Sequence, residues 1–479
     1  MPILAAACEE VNVDYDLYDF NLWLSTQVDA DTWQQIDNNW IKSNPALDSD
    51  KEYFKLLLEK IKEYVSIVIN GQPNLIAISI FTLWSAYCGL EFIRELNRRP
   101  QRDCFKIVIG GTGIDTGLLA INNNKLCEYL LNNQLIDYYI SGEGEFSFRK
   151  ILKGDVTGPG INNLNFEQID DLDQFPYPSY KKIDPWQYKY INFPDVSING
   201  SRGCVRNCTY CDVANYWPKF KYRSGDKLAE EMYSTWSTTG IQAFEFSDSL
   251  INGSLKQFKS LNRRLIELKE NNPEFNITYK GQFICRSQGQ FTEKDYADMT
   301  QAGCNYIYVG VESFSDPVRY AMDKKFDTDA LEFHLKMCAK YGIPNVFLMI
   351  VGYPTETHAD HEHNLQALKK YQVYSQAGVI DMITFGFTTS ILKNTPLERM
   401  KHELGIQNEF ENFNSKQNWI SVNNPKLTLK ERVRRWIELV DTADQLGYRQ
   451  PRIDSAVAML TQSLAETTTK KRIPLTEIS

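Results

Sequence analysis

No apolar run in this 479-residue chain approaches the ~20 residues that a membrane-spanning helix needs. The first residues also lack the basic-then-apolar pattern of a secretory signal. Basic side chains are outnumbered, 52 against 61 acidic, and the net charge of −9 argues against a general nucleic-acid-binding surface. Cysteine is scattered outside one cluster. Cys88, Cys104, Cys127, Cys304 and Cys338 stand singly within apolar or helical patterns, where a buried free thiol is the ordinary state. What remains is a globular chain of ordinary composition, 43% apolar and 24% charged, expected in a reducing cytoplasm and long enough for two or three domains.

The one dense group of thiols is Cys204, Cys208 and Cys211, spaced C-x3-C-x2-C after a β-like run from Asp195 to Gly200. In a chain without disulfide character, such clustering reads as metal or iron–sulfur ligation rather than cross-linking. A structural zinc wants four ligands, and the next cysteine is Cys285. Three thiolates on a four-iron cluster leave one iron open to an exogenous ligand. A structural metal knot closed by a distant residue is the alternative.

Hydrophobic periodicity divides the rest. Helices are expected over 2–10, 51–69 and 84–98, and buried strands over 75–80, 105–109 and 137–140, the pattern of a doubly wound parallel sheet. Val11 to Asn21 alternates like an exposed edge strand. Gly110, Gly111, Gly113 and Gly117 do not make G-x-G-x-x-G and suggest a strand-to-loop turn beside a ligand. Prolines crowd residues 155–194, which reads as a stiff linker. Six strand-and-helix pairs follow, with strands over 195–199, 242–247, 277–284, 305–311, 345–351 and 381–387. Leu427 to Leu446 is amphipathic, and Thr467 to Ser479 reads as a polar tail.

The cysteine spacing, with Tyr210 before the third cysteine, resembles the signature of the radical S-adenosylmethionine (SAM) superfamily. LIAISI, KIVIGGTG and DYYISGEGEFSFRKIL resemble the B12-binding-type domain that precedes the barrel in one branch of it, and IDDLDQFPYP resembles that branch's connector. The fold this implies is α/β. Residues 1–154 would form a B12-binding-like domain, 155–194 a linker, 195–400 a partial (β/α)6 radical SAM barrel, and 401–479 a helical C-terminal region. The chain departs from the pattern twice. It opens on the helix at Pro2, so the domain's first strand is expected to be absent. The D-x-H-x-x-G motif is missing too, so cobalt would not be held by that histidine.

The resemblance further implies a [4Fe–4S] cluster on Cys204, Cys208 and Cys211, with SAM bound at its open iron and cleaved by one electron to a 5′-deoxyadenosyl radical. Tyr210 would pack near the adenine. Ser247 and Asp248 would meet the SAM ammonium, Arg286 its carboxylate, and Glu312 and Ser313 the ribose. The turn Gly352-Tyr353-Pro354 would line the adenine. The partners implied are a small-molecule substrate and an electron donor such as a flavodoxin or ferredoxin, with neither membrane nor nucleic acid. Cobalamin is a further cofactor of the branch. With it the reaction would be methyl transfer to an unactivated carbon; by SAM alone it would be cyclisation, rearrangement or oxidation. A non-catalytic iron–sulfur or zinc protein is the rival. The strand-end polar groups separate the two, because a scaffold has no need of them.

Two further clusters read as ordinary structure. His358, His361 and His363 fall at the start of a helix, where only the first two share a face. Lys430, Arg432, Arg434 and Arg435 read as the solvated face of the C-terminal helix.

Overall fold

In a computed structural model, residues 1–33, 36, 51–187, 195–409 and 416–451 are described. The chain divides into two compact units, residues 1–194 with 234–240, and residues 195–233 with 241–479.

The first unit is built on a parallel three-stranded sheet in the order β1 (Leu75–Ser79), β2 (Lys106–Gly110), β3 (Tyr138–Ile140). Its strands are near-continuous apolar runs because both faces are covered. Ile107 and Ile109 point into the larger core, with Ile61 and Val65 of α3 (Glu52–Asn70) and Leu90 and Ile93 of α4 (Leu83–Asn97). Val108 and Ile140 point the other way, against Ala7 and Cys8 of α1 (Pro2–Glu10) and Phe148 and Ile151 of α6 (Gly144–Leu152). Two further helices of the unit are α2 (Phe20–Gln27) and α5 (Leu126–Asn132).

Three expectations change here. The stretch from Val11 to Asn21 is not a strand. It has no ladder partner: Val13 and Tyr15 pack on the smaller core instead, and Asp19 caps α2 by accepting from Leu22 N at 3.0 Å. The proline-rich segment is laid against the unit. Ser141 N donates to Gly160 O at 2.8 Å and Asn162 N to Tyr139 O at 3.0 Å, while Leu172 and Phe175 are buried. Residues 188–194 of that segment lie outside the described residues. The glycines, finally, serve the unit's own packing. A Cβ on Gly111 would stand 2.3 Å from Ile80 O, and one on Gly142 would stand 2.1 Å from the Phe166 ring.

The second unit carries six parallel strands in sequential order, the topology of a partial (β/α)6 barrel. They are β4 (Asp195–Ile198), β5 (Ala243–Phe246), β6 (Thr278–Phe283), β7 (Cys304–Glu312), β8 (Asn345–Ile350) and β9 (Ile380–Gly386). One face is apolar and buried, with Phe244, Tyr279, Phe283, Ile307, Val309 and Phe347. Glu245, Lys280, Gln282, Tyr306 and Tyr308 alternate onto the half-buried face. The connecting helices are α7 (Gly225–Thr239), α8 (Leu255–Asn271), α9 (Glu293–Ala302), α10 (Asp316–Ala321), α11 (Thr328–Tyr341) and α12 (His358–Gln376). Capping boxes start α9 at Thr292 and α12 at Thr357.

Among the described residues the last helix is α13 (Leu429–Gln445), which follows the barrel. Its basic run is not a solvated face. Arg432 and Arg435 are 0% and 3% exposed; Arg432 donates to two backbone carbonyls, and Arg435 to the Glu356 carboxylate and to Thr357 O. Lys430 and Arg434 behave as expected: Lys430 is exposed, and Arg434 is half-exposed and paired with Glu431 and Glu438. The polar tail from Thr467 to Ser479 lies outside the described residues. Among the described residues no helix is long and apolar enough to cross a membrane.

Candidate active site

The loop that carries the three cysteines leaves the C-terminal end of β4, where the chemistry of such barrels is placed. Its root is pinned by a short antiparallel pair, Ser201–Arg202 with Lys221–Tyr222. Gly203 has φ +80°, and a Cβ there would meet Lys219 O at 2.7 Å, so the entry to the loop demands glycine. Further along, Thr209 N donates to Met322 O at 3.0 Å, and Leu397 N donates to Thr209 O at 2.7 Å. Cys208 is buried, and Cys204 and Cys211 are half-buried.

Beside the cysteines lies a buried polar array. Tyr210 Oη donates to Glu312 Oε1 at 2.7 Å, and Lys324 Nζ donates to the same oxygen at 2.8 Å. A Cβ on Gly310 would stand 2.5 Å from that oxygen and 2.7 Å from Lys324 Nζ, so only glycine lets the pair fold back over β7. The backbone is strained to make this arrangement. Glu312, Asp323 and Lys325 all have positive φ, at 65°, 58° and 54°, and each such residue costs about 1–3 kcal/mol. Strain of this kind, concentrated around one ion pair, marks a place where geometry is held for a purpose.

The electrostatics are those of a cationic cup. Burial pulls the Lys324 ammonium down, but Glu312 and the thiols of Cys208 and Cys204 outweigh it and hold the group above its ordinary value. Burial pushes all three thiols up, and Lys324 opposes it at each. Arg286 is buried, and its Nη2 donates to Asn252 O at 3.0 Å. Burial brings its guanidinium down to about 10; Arg206 acts in the same direction, and Cys204 acts against them. Arg206 and Arg286 each keep a buried Nε without a hydrogen-bond partner.

The strand ends sort the remaining residues singled out from the sequence. Asp248 is buried at the root of the loop, where its carboxylate accepts from Gly200 N at 2.8 Å and from the Ser201 hydroxyl. Burial pushes its carboxyl up to about 7. Ser247 is exposed and bonds Ile198 O and Asn199 Nδ2, both at 3.3 Å. Ser313 points into the helical layer, fully buried, with its hydroxyl 3.2 Å from Asn364 Oδ1. The turn Gly352-Tyr353-Pro354 is buried and joined to the cysteine loop, because Tyr353 Oη lies 2.8 Å from Thr209 Oγ1. Thus Cys204, Cys208, Cys211, Tyr210, Glu312 and Arg286 come together; Ser313 does not. Tyr353, from the expected adenine turn, joins them, and Lys324, Arg206 and Thr209 do so unannounced. The histidines of α12 part company: His361 is buried against Glu438 at 2.9 Å, and His358 is exposed.

Known proteins place this arrangement. The model of the Radical SAM superfamily matches residues 198–368. Over 333 residues the chain is 25% identical to an uncharacterized methyltransferase of Pyrococcus horikoshii, covering 66% of this chain and 68% of that protein. The fold is similar to that of the radical SAM methyltransferase TsrM from Kitasatospora setae, solved with cobalamin and a [4Fe–4S] cluster. The TM-score is 0.62 at 16% identity, over 94% of this chain and 89% of that one. OxsB, a cobalamin-dependent SAM radical enzyme, aligns with a TM-score of 0.57 at 16% identity. That likeness covers 72% of this chain and 54% of OxsB, so the chain spans little more than half of OxsB's length. At such identities the two structures speak for the fold. Residues 198–368 thus match the radical SAM superfamily, and the fold of the chain is similar to that of two solved enzymes of the cobalamin-dependent kind.

Proposed function

We propose that Cys204, Cys208 and Cys211 hold a [4Fe–4S] cluster, that SAM binds against it, and that the enzyme methylates a small-molecule substrate. The observation that carries this reading is the strained, buried array of Tyr210, Glu312 and Lys324 beside three cysteines. A metal knot needs no ionised pair at its edge, whereas a bound zwitterion does. The donor set also suits a cluster. Three thiolates serve three irons and leave the fourth open to SAM.

When bound, the cluster and SAM supply one-electron cleavage and a 5′-deoxyadenosyl radical. The chain's own residues bind and orient. Lys324, Arg286 and Arg206 offset the negative charge of thiolates and of a SAM carboxylate; charge-assisted bonds of this kind are about twice as strong as neutral ones. Glu312, held by Lys324 and Tyr210, offers its second oxygen to the ribose. Tyr210 and the 352–354 turn wall the adenine. Asp248 acts one step back in this reading. Both its oxygens serve the loop root, so it fixes where the cysteines begin, and Ser247 is the hydroxyl left at that strand end.

Methyl transfer is favoured over cyclisation or oxidation by the methyltransferase names that the similar proteins carry. For cobalamin, the glycine loops after β2 and β3 do not fit as a corrin cradle, since Ile80 and Phe166 fill them. Phe81 and Leu83 are the apolar side chains left exposed after β1. Anaerobically reconstituted protein, a strong reductant and SAM carrying a labelled methyl group test the reading. Release of 5′-deoxyadenosine and labelled methionine from one SAM is expected, slow even without substrate; once a substrate is supplied, the labelled methyl of a second SAM should pass to product and leave S-adenosylhomocysteine. No nucleoside release from an iron-loaded protein would refute it.

A further inference from the structure

The turn after β8 is shaped by the C-terminal region. Gly352 N donates to Glu356 Oε2 at 3.0 Å. The other oxygen of that carboxylate accepts from Arg435 Nη1 at 2.9 Å, and both side chains are almost fully buried. The same guanidinium nitrogen reaches Glu356 O at 3.3 Å and Thr357 O at 3.0 Å. Asn424 Nδ2 donates to Pro354 O at 3.1 Å and to Glu356 O at 3.0 Å. Three carbonyls of the turn, those of Pro354, Glu356 and Thr357, are therefore held from the C-terminal region.

Arg432 acts on the same turn by packing. Gly352 has φ +72°, and a Cβ there would stand 2.6 Å from Arg432 Cγ and Cδ. Arg432 cannot retreat. Its guanidinium lies 3.7 Å from the Trp419 ring centroid and donates to Leu427 O and Gln417 O, both at 2.7 Å. On its far side, the turn reaches the cysteine loop through Tyr353 and Thr209. One continuous path of buried polar contacts thus runs from α13 to the loop that carries the cysteines.

We propose that Arg435 is a positioning residue that sets SAM affinity from outside the barrel, by holding the Gly352–Pro354 turn against the adenosyl half of the ligand. The inference rests on the reading of that turn as the adenine wall. It predicts an asymmetric defect. Loss of Arg435 frees Glu356, the turn relaxes, and contacts to the nucleoside weaken while those to the methionine half persist.

The test uses the full-length, iron-reconstituted protein with SAM, 5′-deoxyadenosine and methionine as separate probes. Arg435→Met is expected to weaken SAM and 5′-deoxyadenosine tenfold or more, with methionine binding within twofold and iron content unchanged. Arg435→Lys keeps the charge on Glu356 but not the carbonyl bonds, and should fall between. If Arg435→Met does not fold, Arg435→Met with Glu356→Gln removes both buried charges and carries the same expectation. Unchanged SAM affinity in a folded, iron-loaded variant overturns the proposal. So does a parallel loss of iron, methionine and SAM in both variants, since that is general loosening. Wild-type protein without iron would instead overturn the function proposed above.

Discussion

The Lys324 ammonium lies 2.8 Å from Glu312 Oε1, with side chains 9% and 10% exposed. Twelve residues of sequence separate them, and the chain bends through left-handed backbone at Glu312 and on both sides of Lys324 to bring them together. An ion pair so deeply buried recovers little net stability, because each partner has given up its hydration. Its value lies in placing a fixed charge beside the cysteines.

Removing one partner should cost more than removing both. Lys324→Met leaves Glu312 buried and unpaired, and the expected loss is about 3–5 kcal/mol. Lys324→Met with Glu312→Gln should recover much of that stability without recovering SAM binding. Urea unfolding and SAM titration of the three variants check this. A double variant no more stable than the single would show that the pair is not coupled.

Gly310→Ala probes the same pair without touching its charges. The added methyl would displace Glu312 Oε1 and Lys324 Nζ. SAM binding should weaken while the cysteines retain their iron. Intact SAM affinity in this variant would remove Glu312 from the ligand's surroundings.

Asp248 gives a pH prediction. Its carboxyl titrates at about 7 in the fold, raised by burial, against about 3.9 unfolded. Between those values the native state holds a proton that the unfolded state has lost. Stability from this group is therefore full below about pH 4 and declines as pH rises through about 7. Urea midpoints measured from pH 5 to 8 should fall more steeply for the natural protein than for Asp248→Asn. Parallel curves would mean that Asp248 is already ionised at pH 5.

Much of this architecture is legible from sequence because it is written locally. The six barrel strands lie within a residue or so of the runs that predict them, since each is a short apolar segment closed by turn residues. The cysteine spacing is likewise a local signal. Lys324 is not: nothing distinguishes it from Lys325 until the turn that buries one and exposes the other is known. Glu312 and Ser313 are neighbours with opposite fates, because successive residues at a strand end face opposite sides. For Arg432 a signal existed. It lies three residues after Leu429 and four before Trp436, on the buried stripe of α13, where its charge argued for solvent and its spacing argued for the core.

Val11 to Asn21 shows the converse. Its alternation is real, yet alternation predicts a strand only where a neighbouring edge is free to pair with it. Here Val13 and Tyr15 bury themselves against α1 and α6 instead.

What the three cysteines hold decides the function. Protein purified and reconstituted without oxygen should contain about four irons per chain. Replacing Cys204, Cys208 and Cys211 together by alanine should abolish that iron, along with its charge-transfer absorbance. One zinc per chain, retained through reconstitution without iron–sulfur absorbance, would contradict it.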